Sequence, residues 1–134
     1  TERAHVVRAV LEGVAHRGAD LVEAAVADTG IDIGSIRIDG GMSRKPTFVQ
    51  ALADATGRSV EVAPVVESTT IGAAFLAGIG IGTWGTLSDI EALWSPAHVV
   101  EPDPLVDRRA RRLTWHDALS RARSWYPELS ALDF

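Results

Sequence analysis

Between residues 35 and 63 two short apolar stretches flank a helix-length amphipathic one, and this pattern constrains the fold more than any other feature. Ser35-Ile36-Arg37-Ile38-Asp39 alternates apolar and polar side chains, the signature of a strand. A helix follows over about 46–56, with Phe48, Val49, Leu52 and Ala55 on one face and Pro46 in its first turn, where a missing N–H costs nothing. Gly57 stops that helix, and Val60-Glu61-Val62-Ala63 forms a second strand ended by Pro64. A strand–helix–strand unit closes by a right-handed crossover. The class expected is therefore α/β.

The flanks are helical. Residues 2–28 read as one long helix, with Val7, Val10, Leu11, Val14, Gly18, Leu21, Val22 and Ala25 recurring at three- and four-residue steps. Arg8, Glu12, Arg17, Asp20, Glu23 and Asp28 occupy the other face, and Thr29-Gly30 supplies a stop. Such a helix suits a scaffold across a large domain, and without its neighbours it exposes part of its apolar face, which favours self-association. A third helix, 68–79, is rich in small residues, with Ser68 or Thr69 able to accept bonds from its first N–H groups. Then come a helical stretch at 87–93, a proline-containing loop at 95–104 and a last helix at about 105–124. That helix places Arg108, Arg109, Arg111, Arg112, Arg121 and Arg123 among Leu105, Leu113, Trp115, Leu119 and Trp125. The arginines are expected to form a solvated face with Asp107 and Asp117. Trp84, Trp94 and Trp115 are expected to anchor the last helices. The tail, 126–134, is expected to be poorly fixed.

Composition removes several functions. The 134 residues contain no cysteine, which excludes disulfide scaffolds, thiol nucleophiles and cysteine-ligated metal. It permits a cytoplasmic address. A net charge of -5 argues against a general nucleic-acid binder. No apolar run approaches the ~20 residues of a membrane span. The N-terminus has no signal-peptide pattern and no start methionine, and the chain reads as cut from something longer.

Asp39-Gly40-Gly41-Met42-Ser43 is the most informative segment. It joins a strand's C-terminal end to a helix start, where open α/β sheets bind ligands and where paired glycines admit a flat base or a phosphate. A tight turn that merely needs glycine is the competing reading. Asp39 there is a neighbour for phosphate or metal, or else bonds turn amides. Ser43 is expected to cap a helix, since no base stands beside it in the sequence. Gly78-Ile79-Gly80-Ile81-Gly82 follows a helix instead of a strand, so it reads as helix termination. His5, His16, His98 and His116 have no metal-ligand spacing and are expected at surface or capping positions.

Ile38-Asp39-Gly40-Gly41-Met42-Ser43, Pro46-Thr47-Phe48-Val49-Gln50 and Glu67-Ser68-Thr69-Thr70-Ile71-Gly72-Ala73-Ala74-Phe75-Leu76-Ala77-Gly78 together resemble the carboxyl-terminal domain of the FGGY carbohydrate kinases. Arg8–Ala15, Gly82-Thr83-Trp84 and the arginine- and tryptophan-bearing tail look most like the family's glycerol-phosphorylating branch. The resemblance implies part of an actin-like, ribonuclease-H-like ATPase domain with long flanking helices. It implies three parts: the long helix over 1–30, a nucleotide-side unit over 35–82 and a helical tail over 83–134. It also implies that Gly41 lies against the adenosine of ATP or ADP, with Gly40 shaping the turn. At Lys45 the family usually has an asparagine that meets the nucleotide; a lysine there reaches instead toward phosphate or solvent.

The phosphate loops, the polyol pocket, the aspartate base and the held magnesium of such an enzyme are implied upstream of residue 1. The expectation is then a segment of a kinase acting on ATP and glycerol, inactive alone, with no catalytic and no metal-binding residue of its own. Its partners are ATP or ADP and the N-terminal kinase domain, with glycerol reached only through that domain. No nucleic acid or membrane partner is expected, and a homo-oligomer stays open. Two alternatives stand beside it: a non-catalytic nucleotide-binding or interaction module, and a segment of another FGGY sugar kinase such as a xylulokinase.

Overall fold

A computed structural model describes residues 1–123. It runs α1 (Arg3–Thr29), β1 (Ser35–Ile38), a 3-10 turn (Gly41–Arg44), α2 (Pro46–Thr56), β2 (Ser59–Val62), α3 (Ser68–Gly80), α4 (Leu87–Glu91), β3 (His98–Val100) and α5 (Arg108–Ala122). Trp125 and the tail 126–134 lie outside the described residues.

β1 and β2 pair in parallel, Ser35 opposite Ser59 through Ile38 opposite Val62, as a strand–helix–strand unit requires. The sheet has a third strand that the sequence reading assigned to a loop. β3 pairs antiparallel with β2, Val60 opposite Val100 and Val62 opposite His98. Ala97 begins it by donating its N–H to the Val62 carbonyl at 2.9 Å. Only three residues pair, between Pro96 and Pro102, so no alternation was long enough to register.

The core lies where α2 sits on the sheet. Phe48, Val49, Leu52 and Ala53 pack with Val60 and Val62, and Ile36, Ile38 and Val100 close its edges. The predicted face of α2 is the buried one. Gly57 ends the helix at φ 67°, its N–H returning to the Ala53 carbonyl at 2.8 Å.

α1 covers α2 along part of the expected stripe, through Leu11, Gly18 and Val22, with Ala15 and Ala19 at its centre. Ala15 and Ala19 are fully buried and Leu11 is half-buried, whereas Val7, Val10, Val14 and Leu21 are exposed. Small side chains let the two helices approach closely: a Cβ on Gly18 would stand 3.0 Å from Leu52 Cδ1. The larger residues form an adjacent stripe that nothing in the described chain covers.

α5 departs from expectation at one arginine, since Arg108, Arg109, Arg111, Arg121 and Arg123 are exposed as expected. Leu113 is 63% exposed while Arg112 is buried at 6%, with Trp115 and Leu119 half-buried. α1 explains the burial of Arg112, because it presents His16, Asp20 and Glu23 to α5, and Arg112 reaches all three. Charge complementarity joins the stacking of Trp115 on His16 in setting the orientation. The solvated-face expectation survives in part, as Arg121 pairs with Asp117 at 2.8 Å with both side chains mostly exposed. Asp107 instead caps α5, accepting from the Ala110 N–H at 2.9 Å.

The tryptophans anchor, each at a different place. Trp84 lies on Gly78 and edge-on to Phe75, so it fastens α3 and not the last helix. Trp94 carries the Arg37 guanidinium 4.5 Å from its ring centre and donates Nε1–H to Glu61 at 2.8 Å. Trp115 donates to Asp20 and stacks on His16, centroids 5.4 Å apart. No helix among the described residues is long and apolar enough to cross a membrane.

Candidate functional site

β1 delivers the chain into the glycine turn. The Ile38 carbonyl accepts from the Ala63 N–H at 2.9 Å, so the end of β1 is held against the exit from β2. Gly40 then takes φ 79°, ψ -176°, a conformation that side chains rarely adopt. This is the conformational demand the pair answers; Gly41 has no positive φ. At Gly40 and Gly41 no atom lies within 4 Å of the position a Cβ would take. The space above both residues is open.

Ser43 fixes the turn from below. It is 4% exposed, and its hydroxyl donates to the Gly40 carbonyl at 2.7 Å. This corrects the expectation of a helix cap: the N-cap residue of α2 is Lys45, which makes no side-chain cap bond. The backbone tightens into a 3-10 turn as Ser43 N–H reaches Gly40 O at 3.2 Å and Lys45 N–H reaches Met42 O at 3.0 Å. Arg44 and Lys45 emerge exposed at its end. Neither enters any ion pair among the described residues.

A second element reaches the turn. Gly40 N–H donates to the Val66 carbonyl at 3.1 Å, and the Ser68 N–H donates to Asp39 Oδ2 at 3.2 Å. The N-terminus of α3 is therefore tied to the glycine turn. Neither Ser68 nor Thr69 makes the cap predicted for it, and the N-cap residue Glu67 makes no side-chain cap bond either. Gly40, Gly41 and Lys45 thus stand on one continuous turn, and Asp39 joins that turn to α3 across 29 residues. Linear spacing gave no sign of this link.

The densest polar cluster lies elsewhere, at the α1–α5 junction. Arg112 Nη2 stands 2.5 Å from Asp20 and 2.8 Å from Glu23, its Nη1 donates to the His16 carbonyl at 3.0 Å, and the His16 and His116 rings flank it. Burial pushes the Asp20 carboxyl up, but hydrogen bonds from Arg112 and Trp115 and the arginine's charge outweigh it and hold the group below its ordinary value. Burial, then the Arg112 charge, pushes His16 down. Asp20, Glu23 and His116 bring ligand atoms within 4.8 Å of one another, a convergence that histidine spacing did not reveal. The guanidinium occupies the space between them, so the cluster does not fit a metal ion. His5, in contrast, takes the expected capping role, its Nδ1 accepting from the Glu2 N–H at 3.1 Å.

The sequence profile of the FGGY family of carbohydrate kinases, C-terminal domain, matches residues 1–81. The chain belongs to the FGGY family. Among curated relatives, a glycerol kinase from Rhodopirellula baltica is 37% identical over 99% of this chain and 25% of its own length. One from Deinococcus radiodurans is 37% identical over 98% and 26%. This FGGY chain therefore spans about a quarter of the length of the relatives it matches. Among solved structures, Plasmodium falciparum glycerol kinase with ADP superposes with a TM-score of 0.78 at 34% identity, covering 90% of this chain and 24% of that one. A xylulose kinase from Rhodospirillum rubrum gives 0.72 at 26% identity, covering 95% and 26%.

Proposed function

We propose that the chain is the C-terminal segment of an ATP-dependent glycerol kinase, which converts ATP and glycerol to ADP and glycerol 3-phosphate. The observation that carries the reading is the match to glycerol kinases over nearly the whole chain, together with an ADP-bound relative of the same fold. The division into a long helix, a nucleotide-side unit and a helical tail, within part of an actin-like ATPase domain, belongs to this proposal. So does a cytoplasmic address.

In this reading the segment supplies one wall of the nucleotide site. Open space over Gly40 and Gly41 accepts the flat face of adenosine, and Lys45 reaches from the start of α2 toward the nucleotide's anionic side. Positioning of this kind lowers a phosphoryl-transfer barrier by orienting the reactants. Magnesium would be held by residues of the preceding domain. The Asp20–Glu23–His116 cluster is filled by Arg112 and takes no part. The base that deprotonates the acceptor hydroxyl is likewise assigned upstream.

The experiment is an assay of the longer polypeptide carrying this segment. ADP release should depend on glycerol and exceed that with xylulose, while the 134-residue chain alone should give none. Faster turnover of xylulose would move the assignment to a sugar kinase, the reading that the Rhodospirillum rubrum likeness favours. ADP binding without turnover of either acceptor would make it a nucleotide-binding module.

A further inference from the structure

We propose that Asp39 is a positioning residue of the nucleotide site, acting through the N-terminus of α3; the inference rests on the nucleotide reading above. α3 packs only slightly on the other helices and strands of the described chain. Its first turn holds no acidic residue and its own N-cap, Glu67, makes no side-chain cap bond. The capping role passes to Asp39, which accepts from the Ser68 N–H at 3.2 Å. With the Gly40–Val66 and Ile38–Ala63 backbone bonds, this makes three ties between the glycine turn and residues 63–68. Two come from backbone that any sequence supplies. Only the Asp39 tie depends on a side chain.

Two consequences follow for a ligand on Gly40 and Gly41. The turn and the first turn of α3 hold a fixed separation, so the surface offered to a bound base is preorganised. The carboxylate also offsets the partial positive charge at the α3 N-terminus, which would otherwise attract a phosphate toward the glycines. The pair of effects suits this turn to the uncharged adenosine end of a nucleotide. Asp39 is exposed and contributes nothing to the core, so its removal leaves the fold intact.

The test uses the longer kinase carrying this segment. Asp39→Ala should raise the KM for ATP and the Kd for ADP by roughly fivefold to tenfold, the loss expected for one cap interaction. The values of kcat and of KM for the polyol should stay within about twofold. Asp39→Asn keeps an acceptor oxygen and should recover ADP affinity to within about threefold of wild type. Amide exchange at Ser68 should accelerate in Asp39→Ala. Wild-type ADP affinity in Asp39→Ala overturns the proposal, as does a rise in both KM values together or an Asp39→Asn as impaired as the alanine variant. If Asp39→Ala does not fold, Asp39→Asn decides alone by the same threefold criterion. A wild-type enzyme that does not bind ADP overturns the nucleotide reading and this proposal with it. That result is distinct from failure of the proposal alone, in which wild type and Asp39→Ala bind ADP equally.

Discussion

The Arg112 guanidinium stands 2.5 Å from the Asp20 carboxylate, 92 residues earlier in the chain, and its side chain is 7% exposed. The pair joins two helices on which Val14, Leu21 and Leu113 are exposed, while Trp115 stacks on His16 beside the pair. Removing one partner of a buried pair leaves the other charge desolvated, which outweighs the modest net value of the pair itself. Arg112→Ala should therefore lower stability by about 3 kcal/mol, read as a shift in the urea midpoint. Arg121→Ala, on the same helix but at an exposed pair, should cost well under about 1 kcal/mol. Equal effects at the two positions would show that Arg112 does not fasten the junction.

The same cluster makes the α1–α5 junction acid-labile. His16 is held below the ordinary histidine value of 6.5 by burial and by the Arg112 charge, so it is neutral in the folded chain. Its contribution is complete above pH 6.5 and is lost as pH falls through the depressed folded value. Asp20 adds a second loss in the same direction, complete above its ordinary 3.8 and lost as pH falls through its lower folded value. Glu12, Asp20, Arg111 and Arg112 are the charged groups that act on His16. Melting temperature should fall between pH 7 and pH 5, and His16→Gln should flatten that part of the profile. An unchanged slope in His16→Gln would assign the loss to other groups.

What the sequence disclosed depended on whether the deciding interaction was local. Phe48, Val49 and Leu52 betrayed the buried face of α2 because one element's own period sets it. Gly30 and Gly57, both left-handed at φ 67°, marked helix ends for the same reason. The burial of Arg112 was hidden because the contacts of this junction lie 85 to 96 residues apart in the chain. β3 was hidden because three residues carry too little pattern, and its pairing with β2 is non-local. At the candidate site, the strand-to-helix turn through Gly40 and Gly41 was legible from local context. The reach of Asp39 to Ser68 was not, since a carboxylate at a strand's end gives no indication of its partner.

Lys45 offers a test of the site that stability does not confound. Its side chain is exposed and makes no hydrogen bond among the described residues, so Lys45→Ala should change stability by no more than about 0.5 kcal/mol. Under the proposed function, in the longer polypeptide carrying this segment it should weaken ATP binding, and the weakening should shrink with added salt because the charge acts through solvent. Lys45→Asn, which supplies a short amide instead of a long cation, should lose the salt dependence. Titrations of ADP and ATP at low and at ~0.5 M salt distinguish these cases. Identical affinities in all three proteins would remove Lys45 from the proposed nucleotide site.

Trp84 and Gly78 set a contrast within one helix. The Trp84 ring lies so close to Gly78 that its Cζ3 and Cε3 occupy the space a methyl group there would need, and Phe75 meets the same ring edge-on at 5.2 Å. At Gly72, six residues earlier on α3, no atom lies within 4 Å of the corresponding position. Alanine in place of a helical glycine gains about 1 kcal/mol where nothing obstructs it. Overpacking costs about 1–3 kcal/mol where something does. Gly72→Ala should therefore stabilise the 134-residue chain and Gly78→Ala should destabilise it. Trp84→Ala should remove the penalty at Gly78, so that the double variant is more stable than Trp84→Ala alone. Denaturation of the four proteins gives the cycle directly. A Gly78→Ala variant as stable as Gly72→Ala would mean that Trp84 does not rest on α3.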